Sequence, residues 1–220
     1  MQLFEGTRSD SESTVVGQVY IVDDDQPSRL SVAALMEAMG LQAVTFPSGE
    51  AFLRSPELQQ NGCLVADLRM LGMSGLELLK RMRTMGIDMP VIVVSAYTDV
   101  RIAVDAMAAG AYRVIEKPYQ EQELWDCIIR AMREGERLAE QARTRESLKS
   151  RMERLTVSER EVLQLLIRGV NNKRISSILD MAPRTVDLRR RAILDKMQSS
   201  NIIELASRLS AHNLADANVA

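Results

Sequence analysis

Asp23, Asp24, Asp67, Ser95 and Lys117 lie far apart in the chain, yet each closes a short apolar run. Taken singly they are ordinary, since an Asp after an apolar run commonly serves as a strand end or a helix cap. Taken together they are the parts of one reaction. Three carboxylates crowd together only when positive charge compensates them. A hard divalent cation does so through oxygen ligands, and Mg2+ typically takes one or two protein carboxylates plus waters. A lysine holds an anion as a point charge, and a serine hydroxyl donates a hydrogen bond to one. A carboxylate, Mg2+, an ammonium and a hydroxyl around one point suffice to transfer a phosphoryl group to an acid.

The elements that must position these residues alternate strictly. A β-branched run over 15–22, interrupted at Gly17, ends in Asp23-Asp24-Asp25. Pro27 suits the first turn of a helix, and Val32, Leu35, Met36 and Met39 follow at i, i+3, i+4, i+7 spacing. Residues 41–46 read as a second strand, and Pro47-Ser48-Gly49 turns into a helix through Ala51, Phe52 and Leu53. Cys63-Leu64-Val65-Ala66 leads into Asp67, followed by a loop with Gly72 and Gly75 and a helix through Leu76, Leu79 and Met82. Val91-Ile92-Val93-Val94 ends at Ser95. A helix over 98–109 takes Val100, Ala103, Val104 and Met107 as its core stripe, which leaves Ile102 outside it as a candidate dimer contact. A fifth strand over 111–115 precedes Glu116-Lys117-Pro118. This alternation predicts an α/β fold with a doubly wound, five-stranded parallel sheet covered on both faces. Parallel strands align their carboxyl ends on one edge, where open α/β sheets bind ligands, so the five polar residues converge.

From Gln120 the pattern is helical for about 35 residues, with an apolar stripe at Leu124, Trp125, Ile128, Ile129 and Met132. Past Gly135 the composition turns to Arg, Glu, Gln and Ala, which suits a solvated helical connector or a short coiled coil. After Leu155 the spacing Ser158…Glu161 predicts a capping box, ahead of a helix through Val162, Leu163, Leu165 and Leu166. Asn172 is expected to cap a short helix with Ile175, Ile178 and Leu179. A tight link to Pro183 opens a third helix with Val186, Ile193 and Met197, and Ile202, Leu205 and Leu209 lie on a fourth. Four short helices with a turn before the third match an all-α helix-turn-helix module. The organisation is thus a disordered tail over 1–14, an α/β domain over 15–135, a linker over 136–154 and a helical domain over 155–214.

The third helix opens Pro183-Arg184-Thr185-Val186-Asp187-Leu188-Arg189-Arg190-Arg191, with one core residue and four arginines. Arg184, Asp187, Leu188 and Arg191 share a face. Arg191 suits a bidentate pair with guanine, Leu188 a thymine methyl and Asp187 a cytosine amino group. Lys173, Arg184, Thr185, Arg189 and Lys196 suit phosphate contacts that set register. Charge agrees with a division of labour. From Arg151 onward 12 Lys and Arg face 8 Asp and Glu, while the rest of the chain carries 16 against 22.

Other classes are disfavoured. No apolar run approaches the roughly 20 residues of a membrane span, and the N-terminus lacks a signal-peptide pattern, so a cytoplasmic location is expected. Cys63 and Cys127 sit in apolar segments and read as reduced core residues. His212, the sole histidine, argues against histidine-dependent triads and histidine-ligated metals. Asp23-x-Asp25 superficially suits an aspartyl-phosphate phosphatase, but Gln26-Pro27 lacks the needed hydroxyl and Asp67 is left unexplained.

Val22-Asp23-Asp24-Asp25, Asp67-Leu68-Arg69-Met70 with Met73-Ser74-Gly75, Val94-Ser95-Ala96 and Glu116-Lys117-Pro118 resemble the four signatures of a response-regulator receiver domain, a flavodoxin-like fold. Ser158-Glu159-Arg160-Glu161-Val162-Leu163, Gly169, Asn172-Lys173, Ile175, Leu179 and Pro183-Arg184-Thr185-Val186 resemble the helix-turn-helix module of NarL/FixJ (LuxR-type) regulators, nearest the FixJ side. The resemblance implies a DNA-binding regulator and not an enzyme. It implies that Asp67 accepts phosphate from a sensor histidine kinase, and that Mg2+ is held by Asp23, Asp24, Asp67 and the backbone carbonyl of Arg69. Ser95 and Lys117 then read the phosphoryl oxygens. The implied partners are the kinase, promoter DNA, RNA polymerase and a second copy of the chain on phosphorylation, with no membrane. An alternative assigns the C-terminal helices to a protein partner instead of DNA. Several positions depart from the family. Leu71 stands where proline is usual, Val114 where a switching aromatic is frequent, Ala182 where serine caps the third helix and Arg189 where histidine is common. Arg69 and Tyr97 are large, and are expected to screen the acyl phosphate from water.

Overall fold

The structure is a computed structural model that describes residues 17–56, 58, 61–96 and 100–215. The expected tail over 1–14, and Tyr97, lie outside the described residues. The chain divides into two compact units, Met1–Ala139 and Glu140–Ala220.

In the first unit the elements run β1 (Gln18–Val22), α1 (Gln26–Ala38), β2 (Gln42–Phe46), α2 (Gly49–Leu53), β3 (Gly62–Asp67), α3 (Gly75–Thr84), β4 (Val91–Ser95), α4 (Val100–Ala108), β5 (Arg113–Glu116) and the start of α5 (Glu121–Glu153). The sheet is parallel throughout, in the order β2-β1-β3-β4-β5. Alternate residues of each strand feed opposite cores, as the two-residue period requires. Val19, Ile21, Cys63, Val65, Ile92 and Val94 pack with α1 and α5. Tyr20, Val22, Leu64, Ala66, Val91 and Val93 pack with α2, α3 and α4. The strand order reverses between β1 and β3, and that crevice is the ligand-binding position of such sheets.

Gly135 does not interrupt α5. It lies against the backbone of Gly62, where a Cβ would approach the Gly62 carbonyl oxygen to 2.1 Å. A residue that weakens a helix is here the one that lets helix and strand touch.

Helix α4 corrects one expectation. Val100, Val104 and Met107 are 76%, 59% and 51% exposed, whereas Ala106 is buried and Ile102 packs against the core. Two stripes of helical spacing overlap in this segment. The sheet takes the one with two alanines, Ile102, Ala106 and Ala109, and Val100, Val104 and Met107 face outward. Ile102 is therefore half-buried against the core and not the free apolar contact expected of it.

The second unit holds the end of α5 with α6 (Val157–Ile167), α7 (Asn172–Ile178), α8 (Pro183–Met197) and α9 (Ile202–Ala211). Its core gathers Leu148, Met152, Val162, Ile175, Val186 and Leu205, among others. The capping box lies two residues earlier than expected. Thr156 Oγ1 accepts from Glu159 N at 3.3 Å, and Glu159 Oε2 accepts from Thr156 N at 2.8 Å. Two overlapping Ser/Thr-x-x-Glu registers are available, and the earlier one lets Glu159 also pair with α8. The cap of α7 is Asn171, whose Oδ1 accepts from Arg174 N at 2.9 Å, and not Asn172.

Candidate functional site

The strand register assembles the site. Asp67 lies beside Val94, and Ser95 beside Glu116. Leu68 N donates to Val94 O at 2.8 Å and Lys117 N to Ser95 O at 2.7 Å, so the pairing continues past the strand ends into the loops. Gly75 packs directly on this edge, since a Cβ there would come within 2.4 Å of the Asp67 carbonyl oxygen. The Lys117–Pro118 peptide is cis.

One ammonium ties the edge together. Lys117 Nζ lies 2.7 Å from Asp67 Oδ1, 3.2 Å from Asp23 Oδ2 and 3.2 Å from Ser28 Oγ. The side chains of Asp23 and Asp67 keep only 9% and 12% of their surface in water. Burial works against the charge on Lys117, but hydrogen bonding to Asp67 and the charges of Asp67 and Asp23 outweigh it and raise its pKa above the ordinary lysine value. Asp67 Oδ2 accepts from Arg69 N at 2.7 Å. Asp24 points elsewhere, with its Oδ2 accepting from Leu71 N at 2.9 Å. Ser95 is buried at the end of β4.

Ser28 and Tyr119 escaped the sequence reading. Both line the pocket with Asp23, Asp67 and Lys117. Ser28 Oγ donates to Asp23 Oδ2 at 2.8 Å and bridges it to Lys117. The available signal was Pro27 at the start of α1, which places the next side chain over the end of β1.

The donors here are all oxygen, which suits a hard cation. Asp23 and Asp67 already share one positive charge. Among the described residues, however, no three acidic, histidine or cysteine side chains converge to hold a metal as they stand. Asp24, whose Oδ2 accepts from Leu71 N, stands outside that pair.

In the helical unit, Arg184, Asp187, Leu188 and Arg191 are exposed on α8, Leu188 by 59%. Lys173 is exposed on α7, while Thr185 and Arg189 are half-buried. Asn172 Nδ2 donates to Asp187 Oδ1 at 2.6 Å and links α7 to α8. Ala182 supplies no side-chain cap, and Pro183 takes the first helical turn. Lys196, expected at the DNA backbone, is paired within the unit. Its Nζ lies 2.9 and 2.6 Å from the two carboxylate oxygens of buried Glu159, so it braces α6 against α8.

Comparison with known proteins agrees with both units. Residues 19–129 match the response regulator receiver domain, and residues 153–217 match the bacterial regulatory proteins of the luxR family. The transcriptional regulatory protein FixJ of Bradyrhizobium diazoefficiens is 35% identical over 87% of this chain and 94% of that protein. FixJ of Azorhizobium caulinodans is 40% identical over 85% and 89%. Among solved structures, response regulator StyR matches with TM-score 0.74 at 34% identity, covering 88% of this chain and 98% of that one. Full-length FixJ from B. japonicum matches with TM-score 0.54 at 34% identity, covering 90% and 98%. No helix among the described residues is long and apolar enough to cross a membrane.

Proposed function

Because the chain belongs to the two-component response regulators that join a receiver domain to a LuxR-type DNA-binding domain, we propose that Asp67 is its phospho-acceptor and that phosphorylation there controls binding to promoter DNA. Membership makes it a transcriptional regulator and not an enzyme, with a histidine kinase and DNA as partners. The observation that carries the finer reading is the Lys117 ammonium shared by Asp67 and Asp23. It stands where the charge of an incoming phosphoryl group has to be met.

Asp23, Asp24 and Asp67, with the Arg69 carbonyl, would hold Mg2+, which when bound would neutralise charge on the phosphoryl oxygens. Lys117 exchanges a carboxylate for a phosphoryl oxygen, and Ser95 donates to another. Both residues stand at strand ends that lead into α4 and α5, so their movement reaches those helices. Incubating the protein with acetyl phosphate and Mg2+ tests the reading by intact mass. Wild type gains one lasting phosphate and Asp67→Asn gains none. Equal labelling of both forms, or continuous phosphate release, refutes it.

The exposed Val100, Val104 and Met107 of α4 form the homodimer face in place of Ile102. Val104→Asp keeps acetyl-phosphate labelling but lowers dimer affinity at least about 10-fold, because it places a charge in an apolar contact. Sedimentation of the phosphorylated variant as a wild-type dimer would remove α4 from the interface.

On DNA, Leu188 and Arg191 read base edges, and Lys173, Arg184, Thr185 and Arg189 contact phosphates. A promoter-bound dimer then presents the protein to RNA polymerase. Asp187 reaches a base only by sharing or leaving its bond to Asn172. Arg191→Ala is expected to relax preference at one base pair by about 1–3 kcal/mol, while Lys173→Ala weakens all sequences alike and lowers the salt slope by about one. Matching base profiles and salt slopes for the two variants would overturn these roles.

A further inference from the structure

The cation site just proposed contains one contact that belongs to this chain's own sequence, and the inference drawn from it rests on that reading. Lys117 draws Asp23 and Asp67 together. Asp24 stays apart, with its Oδ2 held at 2.9 Å by the backbone N–H of Leu71. The two residues are 47 apart in sequence, so this bond ties the loop after β1 to the loop after β3. The Leu71 side chain is 84% exposed, so the inward contribution of position 71 is its amide. Proline, usual here in the family, has no N–H to donate.

We propose that the Leu71 amide latches Asp24 away from Asp23 and Asp67, so that drawing Asp24 onto a shared Mg2+ breaks this hydrogen bond and residue 71 tunes the receiver's cation affinity. The bond engages one oxygen of the Asp24 carboxylate and so restrains the side chain where it does not gather with Asp23 and Asp67. Mg2+ demands near-octahedral ligands at about 2.1 Å, so Asp24 must turn to join Asp23 and Asp67. The latch thus opposes loading, and the cost of breaking it is subtracted from the cation's binding. The turn at position 71 suits proline. Gly72 follows with φ +81°, and the residue before a positive-φ glycine is the turn position that proline fits.

The test is calorimetric titration of the full chain with Mg2+, comparing wild type, Leu71→Pro and Leu71→Ala. Leu71→Pro should bind about 3- to 10-fold more tightly, the net worth of one ordinary hydrogen bond, since this one is exposed to water. Leu71→Ala keeps the N–H and should match wild type. Equal affinity of Leu71→Pro and wild type, or Ala binding as tightly as Pro, overturns the latch while leaving the cation site in place. Absence of Mg2+ binding in all three overturns the cation site and the latch together. Wild type supplies a second readout by NMR hydrogen exchange. The Leu71 amide should be protected without Mg2+ and lose that protection at saturation, and exchange that Mg2+ leaves unchanged overturns the proposal even if Leu71→Pro does not fold.

Discussion

Lys117→Ala should cut acetyl-phosphate labelling of Asp67 by roughly 100-fold, the usual loss when one preorganised donor to a developing anion is removed. The same variant should melt at lower temperature, and added Mg2+ should restore much of that loss. Both effects have one cause. Lys117 is the cation at 2.7 Å from Asp67 and 3.2 Å from Asp23, and those carboxylates are nearly withdrawn from water. Without it they repel each other in a medium that screens poorly.

The lysine keeps 26% of its side chain exposed, so the cost lies below that of a fully buried pair, about 2 kcal/mol. The pH dependence in wild type has a definite sign. A lysine whose folded pKa is raised contributes its full stability below the ordinary value, 10.5, and loses it as pH rises through the raised one. The contribution is therefore constant across neutral pH, and the deficit of Lys117→Ala should be too. Bound Mg2+ would replace the missing charge on the carboxylates but would leave the phosphoryl oxygens without the ammonium proposed to meet them. Stability should then recover while labelling stays slow. Labelling at the wild-type rate would show that Lys117 has no part in phosphoryl transfer.

How legible the site was in the sequence follows from geometry. Asp23, Asp67, Ser95 and Lys117 were readable because a parallel sheet aligns strand ends whatever the sequence separation. Ser28 was not, because its role depends on how α1 starts over the end of β1. The orientation of Asp24 was not either. Adjacent acids look alike in sequence, and only the loop at Leu71 separates them. On α4 the periodicity was sound, but two stripes satisfied it, and packing on the sheet took Ile102, Ala106 and Ala109. The capping box shows the same degeneracy, settled by a partner 37 residues away. Local patterns located the elements, and long-range packing chose among their registers.

That partner carries the second large effect. Glu159→Ala should destabilise the helical unit by about 2–3 kcal/mol, since it removes a cap and leaves the Lys196 ammonium unpaired. Glu159→Gln should cost about 1 kcal/mol, because the amide oxygen still accepts from Thr156 N. Lys196 keeps 35% of its side chain exposed, which reduces the penalty for stranding it. Burial disfavours the Glu159 carboxylate, but hydrogen bonds from Lys196 and Thr156 and the Lys196 charge outweigh this and hold its pKa below 4.5. A depressed carboxylate contributes fully above its ordinary value and loses that contribution as pH falls through the depressed one. The gap between wild type and Glu159→Gln should therefore be constant above about pH 4.5 and close below it. Denaturation followed by exchange of α6 and α8 amides measures the gap within this unit alone. Replacing both partners, Glu159→Gln with Lys196→Met, should cost less than the two single changes combined, because the double variant leaves no stranded charge. Lys196→Met should also leave the salt slope of DNA binding intact, unlike Lys173→Ala. A slope reduced equally by both would return Lys196 to the DNA backbone and break the brace assigned to it here.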